Sequence, residues 1–317
     1  MRDLVVGFPT KSGFIRAVDC VSLKIYSGES LGLVGESGCG KSTLALAIMG
    51  LTKEPGRIIN GQVLFDNEDL LKKKDEAIRD IRGRKISMIF QNPAGSLDPV
   101  ASVGSQIASV LRAHKNVDAD QVNKEVLGLL QVVGLPAPDQ IATKFPHELS
   151  GGMKQRVMIA MALACNPKLL TADEPTTALD VTIQAQILKL LKGLKEKFAA
   201  TVLITHNLAV VAEMCDRVAV MYAGKIIEEG DVISVFEHPA HPYTEALLKS
   251  IPKLESPTET FSTIMGSVPS IGSPPTGCRF HPRCPYSKQI CIEREPQEVT
   301  VSNGHSAACF KITNYAP

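Results

Sequence analysis

Gly35-Glu36-Ser37-Gly38-Cys39-Gly40-Lys41-Ser42-Thr43 follows an apolar run over residues 30–34 and decides the reading of this chain. The stretch fits the pattern G-x-x-x-x-G-K-[ST], and a helical pattern over 41–49, closed by Gly50, comes after it. Glycines 35, 38 and 40 let the main chain curl so tightly that its N–H groups face inward, while the helix aims its positive end at the same space. Together they form a cradle for the phosphates of a nucleoside triphosphate. Lys41 is expected to reach the outer phosphates and Ser42 to ligate magnesium. The candidate nucleotide contacts are Gly35, Ser37, Gly38, Cys39, Gly40, Lys41, Ser42 and Thr43. A plain glycine turn is the competing reading, and a strand before and a helix after it count against that.

Working outward, 317 residues at 44% hydrophobic content suffice for one large or two unequal globular domains. The 34 basic and 33 acidic residues are interspersed, so no basic face suggests a nucleic-acid partner. The longest apolar run after the N-terminal stretch, 157–164, is too short to span a bilayer, and residues 1–14 do not resemble a signal peptide. The chain is therefore expected to be cytoplasmic. Of its eight cysteines, Cys20, Cys39, Cys165 and Cys215 are scattered and read as free thiols of a reducing compartment.

Strand-like segments at 30–34, 62–65, 86–90, 168–172 and 201–205 alternate with helical patterns, which predicts an α/β fold on a mainly parallel sheet. Residues 182–198 place Ile183, Ile187, Leu190, Leu191, Leu194 and Phe198 on one helical face, as in a helix that covers a sheet. About 92–165 reads as a helical subdomain, with helices over 102–114 and 121–133 and a turn-rich 134–138 between later elements. Residues 217–230 read as a hairpin around Ala223-Gly224. Prolines accumulate beyond 236, which divides the chain into a domain over 1–235 and an appended module over 236–317.

The strand 168–172 leads into Asp173-Glu174, where a buried strand would present carboxylates to a nucleotide at the sheet edge. Asp173 is expected to hold magnesium through water, and Glu174 to act as general base toward the attacking water. A helix-capping acidic pair is the plainer alternative. Ser150-Gly151-Gly152 precedes another helical run and makes a second helix N-terminus with exposed amides. Add Gln91 after one strand, Ala178-Leu179-Asp180 after the acidic pair and His206 at the end of another strand, and the order and spacing closely resemble the ATP-binding cassette family over about 4–230.

That resemblance implies a P-loop ABC-type fold with a mainly parallel sheet, an antiparallel β-subdomain and a helical insertion, plus a small irregular C-terminal Cys-rich extension. It also implies that two cassettes pack head to tail. Ser150 and Gly152, with Gly151 between them, would then contact the γ-phosphate of ATP held by the partner cassette. Gln91 would touch magnesium, His206 would hold the γ-phosphate and attacking water, and Asp180 would lie at the subunit seam. The family's adenine-stacking aromatic corresponds best to Phe14, which could equally belong to a hydrophobic core, and the choice of ATP over GTP rests on the resemblance.

Cys278, Cys284, Cys291 and Cys309 are spaced C-x5-C-x6-C-x17-C in a proline-rich segment. By their chemistry they could hold an iron–sulfur cluster or zinc, or stay free thiols. The segments 237–248 and 277–286 resemble the C-terminal extension of the dipeptide and oligopeptide permease ATPases, and that resemblance implies a [4Fe–4S] cluster. It further implies an ATP-hydrolysing motor subunit for a peptide importer. The partners it implies are a second ABC ATPase subunit, two membrane permease subunits and, indirectly, an extracytoplasmic peptide-binding protein, with the chain peripheral on the cytoplasmic face of the membrane. The competing function is a soluble regulator or nucleic-acid-remodelling ATPase with a redox-sensing metal module.

Overall fold

Strand Ser30–Val34 is buried along its whole length, as Ser-Leu-Gly-Leu-Val must be when both faces of a sheet are covered. The computed structural model describes residues 1–11, 13–177, 179–194, 200–250 and 264–312. They divide into two units, one made of Met1–Lys24, Leu31–Leu71 and Ile204–Pro317, the other of Ile25–Ser30 and Lys72–Leu203.

In the first unit, residues 31–34 of that strand pair in parallel with Arg217–Tyr222, which turns back antiparallel as Lys225–Asp231. Ala223 and Gly224 make that turn with φ of 43° and 88°, the double left-handed geometry that matches the twist of a hairpin. Two short strands then extend the sheet in the order Lys225–Asp231, His305–Ala307, Val299–Ser302. The proline-rich segment is thus not irregular throughout, because its end joins the sheet. A separate antiparallel sheet of Gly13–Val21, Arg2–Thr10 and Arg57–Gln62 forms the expected β-subdomain. The strand expected over 62–65 is instead the end of Arg57–Gln62 and a two-residue strand, Leu64–Phe65. The latter pairs with Glu68–Asp69 around Asp66-Asn67, both at positive φ.

In the second unit, Ile86–Ile89 and Leu169–Asp173 run parallel and fully buried. Helices Val103–His114, Ala119–Val132 and Pro138–Thr143 follow one another, capped by Ser102 and Asp118 where a side-chain oxygen accepts the N–H of the third residue on. Their buried faces, Ile107, Leu111, Val122, Val126, Leu130 and Ile141, form the helical insertion's core. The helix expected over 182–198 is described as Val181–Leu194, and the last part of that expectation, with Phe198, lies outside the described residues. Among the described residues no helix is long and apolar enough to cross a membrane.

Candidate nucleotide-binding site

The loop between Ser30–Val34 and helix Lys41–Ile48 is shaped by backbone that only glycine supplies. Gly35 has φ +153° and a Cβ there would meet Met221 O at 2.1 Å; Gly40 has φ +108° and its Cβ would meet Ala17 O at 2.3 Å. Gly40 is the helix N-cap and offers no side chain, so the first amides of the helix are not capped from that position. Lys41 is 5% exposed. Its Nζ donates to Gly35 O at 2.7 Å, to Glu36 O at 2.9 Å and to Cys39 Sγ at 3.6 Å. Burial pushes the Cys39 thiol up, which keeps it neutral beside the ammonium. Ser37 and Gly38 are exposed at the rim, and Ser42 and Thr43 are half-buried. A cradle closed to a Cβ at Gly35 and Gly40, with the buried Lys41 side chain held at its floor, fits a polyphosphate.

In the second unit, Asp173 ends its strand with 5% exposure. Glu174 follows at φ +44°, a left-handed conformation that costs a non-glycine residue energy. Its Oε2 accepts from Gln91 Nε2 at 2.9 Å and from Thr177 Oγ1 at 2.8 Å. Gln91 and Glu174, 83 residues apart in sequence, are therefore brought into direct contact.

Ser150 caps helix Gly151–Leu163, its Oγ accepting the Met153 N–H at 3.3 Å. Gly152 is required by packing and not by φ, since a Cβ there would lie 2.8 Å from Ile183 Cγ2. Asp180 Oδ1 accepts the Ile183 N–H at 2.9 Å and so caps the helix Val181–Leu194, while Ala178 lies outside the described residues. His206 is exposed just past strand Ala200–Thr205. Phe14 is 47% exposed with the Arg57 guanidinium 5.6 Å from its ring centre, so it belongs to no buried core.

The cysteine expectation is overturned. Among the described residues, which include all four sulfurs, no group of three or more His, Cys, Asp or Glu could hold a metal ion. Cys278 and Cys284 pack against the apolar cluster of Tyr222, Tyr243 and Phe280 instead. Burial pushes the Cys278 thiol up to about 11 and raises Cys284 and Cys309 as well. Neither the [4Fe–4S] cluster nor the zinc alternative therefore finds a set of ligands among the described residues.

Other residues had no pattern to announce them. Glu228 is 1% exposed and its carboxylate accepts Ala240 N–H at 2.6 Å, His241 N–H at 2.9 Å and His305 Nε2 at 2.8 Å. Tyr243 follows, its hydroxyl accepting the N–H of Glu36 at 2.9 Å. The carboxylate of Glu36 in turn meets Arg283. A lone buried charge is legible in sequence only when its partners are close by, and these lie up to 247 residues away.

The ABC transporter family model matches residues 18–177, and the model described as oligopeptide/dipeptide transporter, C-terminal region, matches 227–291. The chain is 46% identical to the probable peptide ABC transporter ATP-binding protein y4tR of Sinorhizobium fredii, over 98% of this chain and 94% of that protein. It is 48% identical to the oligopeptide transport ATP-binding protein AppD of Bacillus subtilis, over 98% of this chain and 95% of that one. Among solved structures, the dimeric post-hydrolysis state of the ATP-binding cassette MJ0796 bound to ADP and Pi aligns with a TM-score of 0.66 at 30% identity. The alignment covers 73% of this chain and 97% of that one. These matches support the transporter reading and give none to the soluble regulator or nucleic-acid-remodelling ATPase. The P-loop ATPase fold of mixed sheet and helices, together with relatives matched almost end to end, establishes that the chain belongs to the ABC transporter family, beside the ATP-binding proteins of oligopeptide and dipeptide transport.

Proposed function

We propose that this chain is the ATP-hydrolysing motor subunit of an importer for dipeptides and oligopeptides. The observation that carries the proposal is the continuous similarity to peptide-transport ATP-binding proteins, through the cassette and on into the C-terminal region. The cassette is assigned to 1–235, with its helical subdomain over about 92–165, and the permease-type extension to 236–317.

Lys41, with the amides of Gly35, Ser37, Gly38, Cys39, Gly40, Ser42 and Thr43, is assigned the phosphates of ATP. Phe14, exposed and cation-flanked, is assigned the adenine face. Ser42, Asp173 and Gln91 would hold Mg2+, which supplies charge neutralisation on the phosphate oxygens. Glu174 would take the proton of the attacking water, and its contact with Gln91 links that carboxylate to the start of the helical insertion. His206 would orient the water and the γ-phosphate. Ser150, Gly151 and Gly152 would serve the ATP of the partner cassette, with Asp180 at the seam.

The family implies a dimer of ATPase subunits on membrane permease partners. Our finer reading is a second ABC ATPase subunit, identical or similar, on two permease subunits at the cytoplasmic face, supplied by an extracytoplasmic peptide-binding protein. The test is ATP turnover by the chain alone and in proteoliposomes with co-purified permease subunits, alongside uptake of labelled peptide. Turnover that rises cooperatively with assembly and drives uptake is the expected result. Full, uncooperative turnover by a dilute monomer, or uptake that ignores ATP, overturns the proposal.

A further inference from the structure

A loop that cradles phosphates with its own N–H groups has to keep those dipoles converging before any anion arrives. The glycines that permit the shape also make it costly to hold. Some contact outside the loop has to restrain it. In this chain the restraint falls on Glu36, the residue after Gly35, and all of its polar groups are engaged. Its carbonyl accepts from Lys41 Nζ at 2.9 Å and from the Cys39 N–H at 3.3 Å. Its N–H is turned away from the cradle and donates to Tyr243 Oη at 2.9 Å. Its carboxylate is gripped by Arg283, Nη1 to Oε2 at 2.7 Å and Nη2 to Oε1 at 3.1 Å.

Arg283 itself has one place to be. Its side chain is 4% exposed. Nε donates to Met265 O at 2.9 Å, Nη1 also reaches Tyr222 Oη at 3.3 Å and Nη2 reaches Ile264 O at 3.4 Å. A guanidinium satisfied at all three nitrogens and forked onto a carboxylate fixes direction as well as charge, which an ammonium does not. Tyr222 and Tyr243 are in turn fully buried, with ring centres 4.6 Å apart and both packed on Phe280.

We infer that Arg283 is a positioning residue for the nucleotide site: by fixing the Glu36 carboxylate it sets the Glu36 carbonyl, and through that carbonyl the place of the Lys41 ammonium. The segment after the cassette thereby tunes how well the loop receives phosphates. A contact that merely fastened this segment down would change stability and leave nucleotide affinity alone. The position of Lys41 between the Gly35 and Glu36 carbonyls is what extends the effect to the ligand.

The inference rests on the reading of this loop as an ATP site, so the experiment separates the two. ATP with Mg2+ is titrated by calorimetry into the full chain and into Lys41→Ala, Arg283→Ala, Arg283→Lys, Glu36→Gln and the double variant Arg283→Ala/Glu36→Gln. Melting temperatures are recorded in parallel. Arg283→Ala and Glu36→Gln are each expected to weaken ATP binding about tenfold, the double variant no further than either, and Arg283→Lys to restore little because it lacks the fork. In the assembled transporter the same variants should raise KM more than they lower kcat. If Arg283→Ala does not fold, Arg283→Lys and Glu36→Gln carry the comparison. Affinities within about twofold of wild type, or losses that add in the double variant, overturn the positioning role. A wild-type chain that does not bind ATP, or binds it independently of Lys41, overturns the site reading instead.

Discussion

Glu174 is held in a left-handed backbone conformation and tethered by Gln91 and Thr177 at one carboxylate oxygen, which leaves Oε1 outside those two bonds. Glu174→Gln keeps the shape and these neighbours but removes the basic oxygen. It is expected to lower turnover by about 10²–10⁴-fold while ATP affinity stays near wild type, measured by phosphate release and by nucleotide titration. Undiminished hydrolysis in that variant would assign the base elsewhere. Residues of this kind are legible in sequence because strand, turn and carboxylate are contiguous, and the phosphate loop is legible for the same reason. Glu36 and Arg283 were not, since their 247-residue separation leaves no local spacing to read. The cysteines failed in the opposite way: four thiols in one segment and a family resemblance invited a metal, yet burial against Phe280 and its neighbours makes two of them packing residues.

At the scale of elements, helix Gly151–Leu163 starts on one hydroxyl that both caps it and is assigned a ligand contact. The two roles differ in size. Ser150→Ala should cost about 1 kcal/mol of stability, read from the urea midpoint, as for any lost serine cap. Its effect on hydrolysis in the assembled transporter is expected to be larger than that loss explains. Ser150→Asn should keep the cap and still lose hydrolysis; full activity in Ser150→Asn would reduce the serine to a structural cap. Elements announced by strong local chemistry, such as Ser102 before Val103–His114, lie within a residue of where pattern places them. The helix read from 121 begins instead at Ala119, because Asp118 caps it with an oxygen that the apolar period does not register. The pair Val299–Ser302 and His305–Ala307 escaped altogether. Thr300, Val301 and Ser302 stay exposed, so no apolar alternation marks that strand.

At the scale of the whole molecule, the order of motifs carried the fold, because a P-loop, an acidic strand end and a strand-terminal histidine fit few chain paths together. The internal bracing was not legible, because it is built from single buried polar groups. His241 illustrates the cost of such bracing. Its Nδ1 accepts the Tyr243 N–H at 3.0 Å, and full burial holds the imidazole down at about 3 against an ordinary 6.5. The unfolded chain takes up a proton there below 6.5 while the folded chain stays neutral until about 3. Stability should therefore fall as pH drops through that window, by about 2 kcal/mol between pH 7 and pH 5 from this residue alone. Urea midpoints at the two pH values measure it, and His241→Asn, which can keep the cap without titrating, should remove this share; an unchanged difference would show that other groups govern the acid limit. The hairpin at the C-terminal end of the sheet has a consequence of another kind. His305–Ala307 occupies the hydrogen-bonding edge of Lys225–Asp231, and the outermost strand left behind is short, with three of its four residues exposed. A chain cut before Val299 would keep all the residues assigned to ATP but bare an edge containing Ile226 and Ile227 to any passing strand. Such a truncation is expected to self-associate edge to edge, so the last strands govern how much of this protein stays dispersed.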